Sequence, residues 1–255
     1  MLSFRFLASA AVALALCGAP AVASAQSFND AQRSEIQKII KDYLLSHPEV
    51  LEEVSAELTK RQAAAEAEKH ASAVSANANI IFNSPRGVTV GNKDGDVTFV
   101  EFFDYNCGYC KRAMSDMLDM MKADPKLKVV LKEFPVLGPG SVEAAQVAVA
   151  VRMQDPTGKK YLDFHQKLLG GRGQADKARA MAAAKDAGLD VARLEKDFSS
   201  PEVRATIEEN FKLAESMGMN GTPSYVIGKQ VIIGAVGIDA LKEKVSTARC
   251  GKAMC

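Results

Sequence analysis

Two cysteines separated by two residues, Cys107 and Cys110, follow directly on the most β-rich apolar stretch of the chain. Nothing else in the sequence limits the fold as sharply. Val97 to Phe103 is an almost unbroken apolar run, the pattern of a strand buried on both faces. Beyond the cysteines, Met114, Met117, Leu118 and Met121 fall on one side of a helix. At such a strand-to-helix joint both sulfurs meet within a single turn. The unpaired N–H groups and partial positive charge of a helix start favour thiolate over thiol. Cys107 is therefore predicted to be a nucleophile, and Cys110, one turn inside, the thiol that resolves a mixed disulfide. A structural disulfide is the alternative reading of a bare C-x-x-C. The strand before it and the helix after it favour redox chemistry.

The rest of the chain fits around that joint. Lys128 to Phe134 reads as a second strand ending at Pro135, which gives a strand–helix–strand unit. From Ser141 to about Met217 the patterns are helical, with Val142, Ala145, Val149 and Val151 in one segment and Tyr161, Phe164, Leu168 and Leu169 in another. Three further segments, 181–187, 191–198 and 203–217, complete the helical stretch. Tyr225 to Ile227 and Val231 to Ile233 are short β runs around Gly228, a hairpin, and Ile238 to Val245 is a closing helix. The expected class is α/β, a thioredoxin-like fold over 79–255 with a helical insertion at about 141–217.

Residues 26–78 read differently. Arg5, the apolar run Leu7 to Leu16 and Ala23-Ser24-Ala25 have the form of an export signal cleaved after Ala25. Asn29 with Gln32 forms a helix-start pair, and Ile36, Ile39, Ile40, Tyr43 and Leu44 make an apolar face. Pro48 interrupts, then Val50, Leu51, Val54 and Leu58 make a second stripe, and Gln62 to Ala78 continues as an Ala-rich helix with no strong apolar face. Such an arm either packs back on the main domain or associates with copies of itself, because short helices bury little alone.

Export places the remaining cysteines, Cys107, Cys110, Cys250 and Cys255, in an oxidising compartment, the periplasm. Cys250 and Cys255 are expected to form a short disulfide; a zinc site built from both pairs is the alternative. A net charge of +1 on 255 residues argues against a nucleic-acid partner. His47 and His70 belong to the arm, and His165 has no second ligand nearby in its helix, so no metal site is expected. Met117, Met120 and Met121 read as core and helix surface. Glu101, an acid inside an apolar strand, would have its pKa raised by burial and serve as a proton acceptor near Cys110; Lys132 and Glu133 are weaker candidates on the next strand. Asn220-Gly221-Thr222 matches the glycosylation pattern but carries little weight in a bacterial-type exported chain.

The run Glu101-Phe102-Phe103-Asp104-Tyr105-Asn106-Cys107-Gly108-Tyr109-Cys110 resembles the active-site segment of DsbA-family thiol:disulfide interchange proteins. Glu133-Phe134-Pro135-Val136-Leu137-Gly138, Gly140-Ser141, Gly218, Gly221-Thr222-Pro223-Ser224 and Ile232-Ile233-Gly234-Ala235 extend the likeness over about residues 95–247. The arm resembles that of ScsC-type and Com1-like members. The resemblance implies a cis Pro223 facing the cysteines, with Thr222, Pro223, Gly108 and Tyr109 binding an extended substrate segment and Glu101 as the family's buried acid. Tyr105, Tyr109 and Val136 are expected to give apolar substrate contacts. Gly108-Tyr109 matches the dipeptide of disulfide isomerases, so the expected activity is isomerase or reductase on misoxidised exported proteins. The implied partners are disulfide- or thiol-bearing protein substrates, a membrane thiol reductase of the ScsB or DsbD type, and other copies in a homo-oligomer, a trimer foremost. No cofactor is implied beyond the Cys107–Cys110 disulfide itself, with copper a possible ligand. The alternatives are a dithiol oxidase and a copper-binding or holdase-like module.

Overall fold

The computed structural model describes residues 28–255, so the expected export signal and its cleavage point lie outside the described residues. The chain divides into two units between Leu58 and Thr59.

In the first unit, helix α1 (Asp30–Ser46) starts with the expected reciprocal pair: Gln32 N donates to Asn29 Oδ1 at 2.9 Å, and Asn29 N donates to Gln32 Oε1 at 3.0 Å. It stops at His47, and helix α2 (Glu49–Asn83) begins directly after Pro48, whose ring cannot continue a preceding helix. No residue of α1 is buried, and Ile39, Ile40, Tyr43, Leu51, Val54 and Leu58 are all exposed. The arm helix runs to Asn83, past its expected end near 78. The reason is that the helix crosses into the second unit at Thr59, and Val74 and Ile81, two turns apart, are part of that unit's own core.

The second unit is built on a five-stranded sheet of order β1-β3-β2-β4-β5, with strands β1 (Val88–Gly91), β2 (Val97–Phe103), β3 (Leu127–Glu133), β4 (Ser224–Ile227) and β5 (Gln230–Ile233). β2 and β3 are parallel, joined by helix α3 (Gly108–Ala123); every other pairing is antiparallel. Between β3 and β4 come five helices: α4 (Pro139–Gln154), α5 (Lys159–Gly170), α6 (Lys177–Asp186), α7 (Val191–Asp197) and α8 (Pro201–Ser216). Helix α9 (Ile238–Cys250) closes the order. This is the expected α/β thioredoxin-like architecture with its helical insertion. The β4–β5 hairpin turns at Gly228, whose φ of 60° is the left-handed value such a turn requires. Strand β1 was not expected from the sequence; it is four residues long and sits at the sheet edge beside β3.

Alternation along β2 sorts its side chains between two cores. Phe99 and Phe103 join α3, α9 and the inserted helices on one face. Val100 and Phe102 meet Leu213, Ala214 and Met217 of α8 and Val74 and Ile81 of α2 on the other. Burial on both faces accounts for the apolar run, and truncating any of Phe99, Phe102 and Phe103 to alanine would cost about 3–5 kcal/mol. The same alternation puts Glu101 on the face of Phe99 and Phe103, where α3 packs.

Candidate active site

Cys107 is the N-cap of α3, with extended backbone (φ −79°, ψ 114°). Its carbonyl accepts the Cys110 N–H at 3.1 Å, and both cysteines are free thiols, 5% and 0% exposed. Cys107 Sγ donates to the carbonyl oxygen of Thr222 at 3.2 Å, and the Thr222–Pro223 peptide is cis. The pairing of Phe102 with Ser224 brings that loop to the end of β2. Cysteine pair and Thr222-Pro223 therefore stand together, as the sequence resemblance implied.

The two thiols are driven apart in acidity. Cys107 is lowered to about 5, chiefly by a hydrogen bond from the Cys110 thiol. Burial opposes this, while the Thr222 side chain and the backbone N–H groups of Cys110 and Tyr109 reinforce it. Cys110 is pushed upward by its bond to Cys107 and by burial. One sulfur is thus a thiolate at neutral pH and the other a held thiol, the division of labour that exchange needs. Glu101 is buried, 2% exposed, and raised to about 8 by burial first, then by the charges of Cys107 and Asp116. It does not point to solvent from a strand end.

The loop carrying Cys107 is fastened by Asp104 and Asn106, neither of which was expected to have a role of its own. Asp104 Oδ1 accepts the Asn106 N–H and the Ser141 hydroxyl, both at 2.7 Å; Oδ2 accepts the N–H groups of Val136 at 2.8 Å and Leu137 at 2.9 Å. Asn106 Nδ2 donates to Ser141 Oγ and to the Ala175 carbonyl at 2.9 Å each, and its Oδ1 accepts the Ala175 N–H at 2.7 Å. Asp104 could have been read as the start of an Asx turn. Its partners on β3–α4, and that of Asn106 ahead of α6, had no sequence signal.

Of the three expected apolar contacts, Tyr109 and Val136 are open, 59% and 38% exposed. Tyr105 is not: it is 2% exposed, its ring packed on Phe103, Phe164 and His165 and its hydroxyl 3.3 Å from His165 Nδ1. An aromatic beside a reactive cysteine here serves the core, not the substrate. Lys132 and Glu133 are both buried but on opposite faces of β3. Glu133 accepts from the Tyr161 hydroxyl at 2.5 Å, away from Glu101.

Met117 and Met120 lie in the core, with Met121 partly buried against it. Cys250 and Cys255 are joined to each other, Cα atoms 6.2 Å apart, which removes a zinc site shared with Cys107 and Cys110. Among the described residues no helix is long and apolar enough to cross a membrane.

Comparison with known proteins matches residues 98–246 to the DSBA-like thioredoxin domain and residues 32–65 to the copper resistance protein ScsC N-terminal domain. A thioredoxin-like oxidoreductase from Silicibacter pomeroyi DSS-3 is 42% identical, over 67% of this chain and 96% of its own, with a TM-score of 0.63. Proteus mirabilis ScsC in a transitional conformation is 30% identical, over 88% of this chain and 98% of its own, with a TM-score of 0.64. Among curated relatives, disulfide bond formation protein D of Bacillus subtilis (strain 168) is 26% identical over 175 residues, 64% of this chain and 77% of that protein. Some curated relatives are much longer: the chain spans 24% of Na(+)/H(+) antiporter NhaA 1 of Salinispora arenicola.

Proposed function

The chain belongs to the DSBA-like thioredoxin family, and from that premise we propose that it is a periplasmic thiol–disulfide exchange enzyme, working mainly as an isomerase or reductase of misoxidised exported proteins. The observation that carries this reading is Cys107: a thiol lowered to about 5, at a helix N-terminus, against the Thr222 carbonyl. The Cys107 thiolate attacks a substrate disulfide and forms a mixed disulfide, and the displaced substrate thiolate takes up a proton. Either another substrate thiolate attacks the substrate sulfur of the mixed disulfide and expels Cys107 as a thiolate, which leaves the substrate rearranged, or Cys110 attacks Cys107 Sγ and releases reduced substrate. Glu101, ionised, accepts the Cys110 proton as it attacks. Thr222 and Pro223 hold the substrate backbone in extended form, with Tyr109 and Val136 as apolar contacts. The exposed apolar faces of the arm support association between copies, a trimer foremost, that would set several thiolates around one substrate. A membrane thiol reductase of the ScsB or DsbD type would return the pair to the dithiol.

The test is reactivation of scrambled ribonuclease by the full chain, beside Cys107→Ser and an arm variant, Ile39→Glu/Val54→Glu. Reactivation lost in both variants supports an oligomeric isomerase. A dithiol oxidase is the second reading, favoured by the same low Cys107 pKa, which makes the disulfide easy to reduce. Rapid oxidation of reduced ribonuclease with no reactivation of the scrambled form would establish it instead. The arm's match to a domain described as copper resistance protein ScsC keeps a copper-binding or holdase-like role in view; that role predicts activity surviving Cys107→Ala.

A further inference from the structure

Beyond α9 the chain doubles back. Gly251, at φ 78°, caps the helix by donating its N–H to the Thr247 carbonyl at 2.9 Å. The reversal carries Cys255 back to α9, with Sγ 3.2 Å from the Ser246 carbonyl oxygen and bonded to Cys250. Cys250 and every residue from 251 to 255 are exposed, Met254 at 86%. The segment matched to the family ends at 246, so this hook lies outside it. The hook's own residues are all exposed, and a disulfide so placed forms or opens without unfolding the domain.

Electrostatics sets the direction in which electrons would pass between this pair and the first. The Cys107 thiolate sits at the N-terminus of α3 with hydrogen bonds to hold it, which stabilises the reduced Cys107–Cys110 pair. Cys250 is the last residue of α9, at the negative end of the helix dipole, where a thiolate is disfavoured. Electrons therefore run from a reduced hook to an oxidised active-site pair.

Geometry decides which active-site pair. Cys107 caps the N-terminus of α3, whereas Met120, Ala123 and Asp124 at its other end line a cavity of about 720 Å³ together with Ala253 and Met254 of the hook. A helix of 16 residues spans about 24 Å. Sulfurs must touch to exchange, so hook and active site of one chain do not meet.

We propose that the Cys250–Cys255 disulfide of one copy is made by the Cys107–Cys110 disulfide of a second copy, the hook being an intermolecular substrate of the active site. The inference rests on the thiol–disulfide exchange reading given above. The Cys255 thiolate attacks Cys107 Sγ, the Cys107–Cys110 bond breaks, and Cys110 leaves with the electron pair and takes up a proton. The Cys250 thiolate then attacks Cys255 Sγ and expels Cys107 as a thiolate. Two electrons pass from hook to active site; of the two hook protons, one ends on Cys110 and one in solvent. Met254, beside Cys255, supplies the exposed apolar side chain that Tyr109 and Val136 would cover.

Two full-length variants isolate the step. Oxidised Cys250→Ser/Cys255→Ser protein is mixed with reduced Cys107→Ser/Cys110→Ser protein, and after acid quench and alkylation the mass of each reports its disulfide. The expected result is one disulfide transferred per pair, at a rate first order in each protein and at least tenfold above that with glutathione disulfide. Hook thiols that stay free overturn the inference. The same oxidised variant is also given reduced ribonuclease. Oxidation of ribonuclease but not of the hook overturns the inference alone; oxidation of neither overturns it together with the exchange reading.

Discussion

Cys107 Sγ and the carbonyl oxygen of Thr222 lie 3.2 Å apart across a sequence separation of 115 residues. The contact suits the thiol, which donates; the thiolate instead takes the Thr222 side chain as a partner, and that bond helps hold Cys107 near 5. Thr222→Val keeps the shape and removes the hydroxyl. A hydrogen bond to a charged group is worth roughly 1.5–3 kcal/mol, so the Cys107 pKa should rise by about 1–2 units. Thiolate ultraviolet absorbance followed against pH measures it. An unchanged midpoint would mean that Cys110 and the helix start hold the thiolate without Thr222.

Glu101 and Cys107 should pull stability in opposite directions with pH. Glu101 is raised from 4.5 to about 8, so its contribution is complete below 4.5 and is lost as pH rises through 8. Cys107 is lowered from 9.0 to about 5, so its contribution is complete above 9.0 and is lost as pH falls through 5. Glu101→Gln should therefore gain stability on wild type between pH 4.5 and 8, by at most about 1.4 kcal/mol per pH unit. Oxidation of the pair removes the Cys107 contribution, so the reduced protein should gain on the oxidised one from pH 5 to 9. Urea midpoints of both proteins in both redox states, at several pH values, give the slopes. Parallel curves for wild type and Glu101→Gln would take the titration away from Glu101.

Asp104 should matter to the active site as much as to stability. Asp104 is 1% exposed, and its carboxylate accepts four hydrogen bonds, one from Asn106 within the Cys107 loop and three that tie the loop to β3–α4. Asp104→Ala leaves four donors without that partner, one buried and three partly buried, and should cost about 3–5 kcal/mol. Asn106→Ala, which breaks the ties to Ser141 and Ala175, should cost about 2–3 kcal/mol. Each variant should also slow alkylation of Cys107 at neutral pH by loosening the first turn of α3. Loss of stability with unchanged alkylation would confine both residues to a structural role.

These two residues also mark where sequence reading stopped. Strand β2 was legible to the residue because burial on both faces leaves an unbroken apolar run, and the cysteines announced the helix after it. Glu101 was legible because an acid in such a run has nowhere dry to hide except beside chemistry. Strand β1 was not, since four residues at a sheet edge are too few for a period to emerge. Tyr105 was misassigned because proximity to Cys107 in sequence says nothing of direction, and its side chain turns inward onto Phe103 and His165. Asp104 and Asn106 find partners up to 69 residues away, which only the closed fold brings near.

Glu133 should be a neutral carboxylic acid in the folded protein. Its side chain reaches Tyr161, whose hydroxyl lies 3.4 Å from that of Tyr105, which in turn is 3.3 Å from His165 Nδ1. Oε2 is buried with no hydrogen-bond partner among the described residues, and Lys132 points to the other face of β3. An ionised Glu133 would leave that oxygen charged and bare. A protonated one carries its proton on Oε2 and anchors a chain in which the Tyr161 and Tyr105 hydroxyls donate to Oε1, with His165 beside Tyr105. Burial agrees with this, pushing Glu133 well upward and His165 down to about 3. Glutamine reproduces the protonated acid, with its amide N–H in place of the carboxyl proton. Glu133→Gln should therefore lie within about 1 kcal/mol of wild type in urea unfolding, whereas Glu133→Ala, with a cavity and an orphaned Tyr161 hydroxyl, should cost about 3–5 kcal/mol. Equal losses in the two variants would show that the chain runs from an ionised carboxylate.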